Sequence, residues 1–313
     1  MENKFPNPDV FKFVLVSILY SIGFIIFYYS KLSLDYIIFF QSRLIELFIL
    51  DIQNISILEF LIVNFSPLFI FILGLIFFCW GLSFLSVKGI GNLKYFLILI
   101  FLPFGLLFNF SILFLFFCLG LYLVSIYVIP LGETYKNELK KWKQFRVGSN
   151  AVSKALFILF LLIFIGSFLA LYFDSNYQQN FIDTTISSLG RVINAEIKNL
   201  QGDLQRKTIQ NKIQEIKEQY PNLTEEQYSE IGKQLRSSIE TNITSAEELN
   251  MSKIVESKLR DSLIVKSLSI WFPFFISFTI WIALEFLRTI LLAPLSGIFS
   301  LIFFKIGGKA NKS

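Results

Sequence analysis

Glu285 and Arg288 stand three residues apart in the apolar stretch WIALEFLRTILL. On a helix that spacing lets the carboxylate and the guanidinium pair directly. Ionisable groups at membrane depth are candidates for ion or proton conduction. A plainer role also fits: a transmembrane helix ends here, both charges lie at the cytoplasmic interface, and Arg288 snorkels toward water. The plainer role is the expectation, and an ion path is the alternative.

Other chemistries are excluded by what the chain lacks. It has no His, which removes His general acid–base catalysis, Ser-His-Asp and Cys-His nucleophiles, and His metal ligands. Its two cysteines, Cys79 and Cys118, lie inside apolar runs. That placement suits small buried side chains and rules out a disulfide framework or a Cys-rich metal centre. No phosphate-loop, dinucleotide, nucleophile-elbow or Asp-rich metal motif occurs in the sequence. The acidic pairs Glu225-Glu226 and Glu247-Glu248 fall at expected helix starts, where they complement the helix macrodipole. Neither a catalytic residue, a cofactor site nor a metal site is therefore expected.

A second cluster of functional groups is basic. ETYKNELKKWKQFR, residues 133–146, carries Lys136, Lys140, Lys141, Lys143 and Arg146 around Trp142. Tyr135, Leu139 and Trp142 are spaced four and three apart, which predicts one apolar helical face flanked by cations. Such a helix lies flat at the membrane with its cations on anionic headgroups. Lys136, Lys140, Lys141, Trp142, Lys143 and Arg146 are the expected lipid contacts. Contact with a partner protein is a lesser alternative. A nucleic-acid role is not expected, because a single short basic run has no binding fold around it.

The elements that must position these groups are membrane helices. Hydrophobic residues make up 54% of the 313, and several runs are free of charge for the length of a bilayer span. Gaps between charges predict an all-α polytopic protein with about six spans. An N-terminal membrane domain, residues 1–153, holds spans at about 13–30, 64–87, 95–108 and 111–130, then a basic loop over 131–153. The 38 uncharged residues between Lys94 and Glu133 are too many for one span. Pro103, Gly105, Asn109 and Ser111 place a tight turn near their middle. The fifth span covers 154–174. Residues 266–313 hold the sixth span, a further apolar stretch over 289–304, and a basic tail. That stretch fits a seventh span, a re-entrant segment or an interfacial helix. Pro67, Pro103 and Pro273 are places where helices could be interrupted.

Orientation follows from charge. With a cytoplasmic N-terminus and six spans, fourteen Lys and Arg fall inside, against Lys31 and Arg43 in the outside loop 31–59. The bias predicts a cell-membrane protein with both termini cytoplasmic and residues 175–265 outside.

The outside segment has its own pattern. Ile182, Ile186, Leu189, Ile193, Ile197, Leu200 and Leu204 form a narrow apolar stripe at steps of three and four, resumed by Ile209, Ile213 and Ile216. Pro221-Asn222 breaks it near the midpoint. Thr224 with Gln227 and Ser245 with Glu248 make capping boxes. A break at Gly202-Asp203 roughly faces one at Thr244-Ser245. Two forms fit: a long coiled-coil-like helical hairpin, or a four-helix bundle. The composite expectation is a non-enzymatic scaffold or sensor whose helical ectodomain binds a partner or a second copy. The alternative is an oligomeric channel or transporter with a path near Glu285 and Arg288.

Overall fold

The computed structural model describes residues 8–37, 40, 57–139, 141–219, 233, 257–258, 260 and 262–309. The described residues are all-helical. The helices are α1 (Pro8–Ser30), α2 (Ile57–Lys88), a 3₁₀ segment Gly91–Leu97 leading into α3 (Ile98–Leu107), α4 (Ile112–Glu138), α5 (Lys143–Phe173), α6 (Ser175–Gln219), α7 (Leu263–Leu287), a π-helical turn Arg288–Leu292, and α8 (Ala293–Lys309). Among the described residues, five stretches are long and apolar enough to cross a membrane: Pro8–Ser30, Phe65–Lys88, Ile112–Glu138, Lys143–Phe173 and Ile270–Ile306. The chain divides into two compact units, one of residues 1–37, 56–178 and 271–313, the other of 38–55 and 179–270.

In the first unit aromatic side chains set the helix register. A β-carbon on Gly74 would lie 2.3 Å from the Phe27 ring, and one on Gly81 2.6 Å from Tyr20. Positions fall along α1 as they rise along α2, so the two are antiparallel. Phe24 is fully buried, with Phe78, Phe101, Phe104, Phe114 and Phe117 all within 6 Å of it, centroid to centroid. Edge and offset ring contacts of this kind add to the burial of area. The Tyr20 hydroxyl bonds Ser125 on α4 at 2.7 Å, and Ser125 donates to the Leu121 carbonyl, so Tyr20 is the donor. That bond satisfies two polar groups that would otherwise be stranded in an apolar core.

The stretch 91–107 is shorter than an ordinary span. It runs parallel to α1: Gly91 lies beside the Asp9 carboxylate, Phe101 stacks on Tyr20, Phe104 on Phe24, and Phe108 meets Tyr28. The 3₁₀ winding accounts for its reach. Seven residues at about 2.0 Å rise and ten at about 1.5 Å cover about 29 Å, close to the hydrocarbon thickness of about 30 Å. The chain then turns at Asn109 and Phe110, both at positive φ, and Ser111 caps α4 by accepting from the Phe114 amide. The tight turn lies where the polar residues predicted it.

Three further contacts order the rest. Gly132 on α4 sits so close to α2 that a β-carbon would be 2.1 Å from the Ser86 carbonyl oxygen. Gly166 on α5 meets Phe116, and Gly120 meets Leu159, which makes α4 and α5 antiparallel. Gly148 on α5 faces Ser296 and Ser300 on α8, and Ser300 donates to the Gln144 carbonyl. Phe299 stacks on Trp80 of α2, and Phe303 meets Phe84 edge-on. The start of α1, the end of α2, the start of the 3₁₀ segment, the end of α4, the start of α5 and the end of α8 therefore share one end of the unit. Lys12, Lys88, Lys94, Lys136, Lys143 and Lys305 belong to those termini. No expected helix is ended by its proline: Pro67, Pro103 and Pro273 all lie inside helices.

Three expectations are corrected. Residues 133–146 do not form one amphipathic helix: α4 ends at Glu138, Leu139 is extended, and Trp142 takes a left-handed φ of 55° before α5 starts at Lys143. Tyr135 and Trp142 therefore sit on different elements. Gly202-Asp203 does not break α6, which runs 45 residues without interruption. A helical glycine costs about 1 kcal/mol, and the apolar stripe continues on both sides of it. The Thr244-Ser245 break, the capping boxes and the Pro221-Asn222 turn lie outside the described residues. Finally, the apolar stretch 289–304 is no separate element, because α7, the π turn and α8 form one uninterrupted helical run.

Candidate functional site: an ion pair inside the last helical run

The last run is apolar on both sides of its charges, and its winding changes at Arg288. Pro294 explains the change. A proline lacks an amide hydrogen and its ring crowds the carbonyl four residues back; widening to π geometry over 288–292 just before it gives the ring room. Thr289 donates its hydroxyl to the Glu285 carbonyl at 2.9 Å, within the same turns.

Arg288 donates from Nε (2.8 Å) and from a terminal nitrogen (2.5 Å) to one oxygen of Glu285. Its other terminal nitrogen donates to both the carbonyl and the hydroxyl of Ser153 on α5, each at 2.9 Å. The guanidinium carbon lies 5.9 Å from the centre of the Phe157 ring, in cation–π range. Both side chains are about one-fifth exposed (20% and 19%). The second carboxylate oxygen of Glu285 is buried with no partner. Ser153 lies ten residues into α5, about 15 Å along its axis from Lys143. The pair is thus local in origin, set by i,i+3 spacing, and tied to a second helix through Arg288.

The sequence pointed to the pair but not to Ser153 or Phe157. A serine directly before Lys154 in an apolar run was the available signal. Lys154 itself is exposed and holds its ammonium 5.2 Å from the Tyr135 ring, linking α5 to α4.

The basic cluster is brought to one end of the unit but is not equivalent residue by residue. Lys136 donates to the Val87 carbonyl at 2.5 Å and so caps the end of α2. Lys141, Lys143 and Arg146 are exposed, and Trp142 is 80% exposed. Lys140 lies outside the described residues.

The fold defines a class: a chain whose described residues are all-helical, with several helices fit to span a bilayer and a tethered ion pair within the last. No protein-family model, curated protein or solved structure matches this chain.

Proposed function

We propose that this is a six-crossing, non-enzymatic protein of the cell membrane, with both termini cytoplasmic. Residues 175–265 stand outside as a helical hairpin for assembly or partner binding. The observation that carries the hairpin is the 2.6 Å ion pair between Asp183 and Arg260. Asp183 lies 38 residues before Pro221 and Arg260 38 residues after Asn222, so the paired positions are symmetric about the expected turn. The uninterrupted α6, with Ile186 buried on its stripe, supports long arms over four short helices. The reach of the 3₁₀ segment supports a sixth crossing. Clustering of basic termini at one end of the first unit supports the orientation drawn from charge.

The exposed cations there, Lys141, Lys143 and Arg146 with Trp142, suit anionic lipid headgroups. The other reading, an oligomeric channel or transporter, is favoured by the unpartnered oxygen of Glu285 and the π turn beside it, since such turns recur at functional sites.

Two experiments test the proposal. On a background with Cys79 and Cys118 replaced, Ser187→Cys should react with an impermeant thiol reagent on intact cells, and Gln144→Cys only after permeabilisation. Both positions are exposed. The reverse pattern refutes the orientation. Separately, two differently tagged copies, or a copy and its partner, should co-purify through the ectodomain. Co-purification that survives deletion of 180–262 refutes the assembly role.

A further inference from the structure

Among the described residues, four buried side-chain polar atoms have no hydrogen-bond partner: the indole nitrogens of Trp80 and Trp281, the Ser277 hydroxyl, and one oxygen of Glu285. Three of them, Ser277, Trp281 and Glu285, are spaced four and four on α7 and share one face. They rise about 6 Å per step, about 12 Å in all.

Ser277 is the telling member. It is fully buried. Ser83, Ser125, Ser296 and Thr279 each donate to the carbonyl four residues back on their own helix, the usual solution for a hydroxyl in an apolar helix. Ser277 does not take it. The residue lies on the same helical face as Trp281 and Glu285. Phe164 of α5 meets both Trp281 and Phe274, and Phe278 packs on Trp281, while Phe275 and Ile282 are exposed.

The chemistry of the row selects its occupant. An indole N–H only donates, a carboxylate oxygen only accepts, and a hydroxyl does both. A metal cation would meet the indole N–H and the nearby Arg288 charge. An anion would meet the Glu285 carboxylate. A small neutral molecule that donates and accepts satisfies all three, and a 6 Å step takes about two water molecules at ordinary hydrogen-bond spacing.

We propose that Ser277, Trp281 and Glu285 line a file of water molecules that runs along α7 and hydrates the Glu285–Arg288 pair from inside the helix bundle. The file gives protons a hydrogen-bonded route to Glu285. It stands independently of the ectodomain's role, because it rests on α7 and α5 alone.

The test uses full-length protein in lipid nanodiscs, with Cys79 and Cys118 replaced. Ser277→Cys is nearly isosteric. A small water-soluble methanethiosulfonate should modify it about tenfold faster, or more, than Phe278→Cys or Ser296→Cys, because only the thiolate reacts and it forms where water reaches. The unmodified protein gives a second measurement: the Trp281 indole N–H, assigned with Trp281→Phe, should exchange with deuterium ahead of that of Trp80. Ser277→Cys reacting no faster than both controls, or Trp281 exchanging no faster than Trp80, overturns the proposal.

Discussion

Arg288 and Glu285 are unequal partners, and removing them should have unequal consequences. Arg288 makes two bonds to Glu285 and two to Ser153, and lies against Phe157. The only bonds of the Glu285 side chain among the described residues are those to Arg288. In Glu285→Gln the amide oxygen still accepts from Arg288, which keeps Ser153 and the ring. The loss is the charge assistance, about 1–2 kcal/mol, the difference between hydrogen bonds to charged groups and to neutral ones. In Arg288→Gln the carboxylate keeps its charge and loses its protein partner, and the narrow file of water proposed above solvates it far less than bulk water does. Breaking a buried pair in this way costs about 3–5 kcal/mol. The double variant removes both charges and should recover part of that, a coupling of about 0.5–3 kcal/mol. The assay is thermal unfolding in detergent or nanodiscs followed by tryptophan fluorescence. At about 2–4 °C per kcal/mol, Arg288→Gln should fall by about 6–20 °C and Glu285→Gln by about 2–8 °C. A pair open to bulk water at the surface would give about 0–1 kcal/mol for either change. Equal small shifts, or a double variant no better than Arg288→Gln, would refute the reasoning.

Gly132→Ala should destabilise by about 1–3 kcal/mol, the cost of overpacking, because the added carbon meets the Ser86 backbone. Gly105→Ala should cost less, since its nearest neighbours are atoms of the Phe110 ring, which can swing, and not backbone; the two are compared by unfolding midpoint. Tyr20→Phe removes the hydrogen bond to Ser125 and should lower stability by about 0.6–1.7 kcal/mol, as for interhelical bonds in membranes. Asp183→Asn should shift the midpoint by at most about 1 kcal/mol, since both partners of its ion pair are about half exposed.

Much of the membrane unit was legible because hydrocarbon imposes simple rules. A charge-free run of span length must be helical to satisfy its backbone, so α1, α2, α4 and α5 follow from composition. The turn at 108–111 was legible because Asn109, unlike most residues, tolerates a left-handed backbone, and Ser111 is a good cap. The 3₁₀ winding of 91–97 left no such mark. Its length deficit could be read, but not the change in rise that makes it good. Nor could the left-handed Trp142 be foreseen, since a bulky residue carries no preference for that conformation. The helix expected over 133–146 failed at two places, the extended Leu139 and the left-handed Trp142. The continuity of α6 was missed for the opposite reason: Gly202 is a local cost that a stripe extending on both sides outweighs.

The continuation of the helix past Glu285 and Arg288 was not legible either. Treating each charge as the end of a span assumes that a charge must reach water. The assumption holds for Lys88, the last residue of α2, whereas Lys12 is itself paired with Asp9 three residues before it, inside α1. It fails for an opposite pair three residues apart, because each charge finds its first partner on its own helix before any tertiary contact forms. The helix is then free to continue, and it does, through the π turn to Lys309. The same argument explains why the pair depends on α5. Local pairing leaves a terminal nitrogen of Arg288 and an oxygen of Glu285 unsatisfied. Ser153 takes up the nitrogen, while the carboxylate oxygen shares a helical face with Trp281 and Ser277. What is unsatisfied after local pairing, and not the presence of charge as such, is what locates a candidate site in an apolar helix.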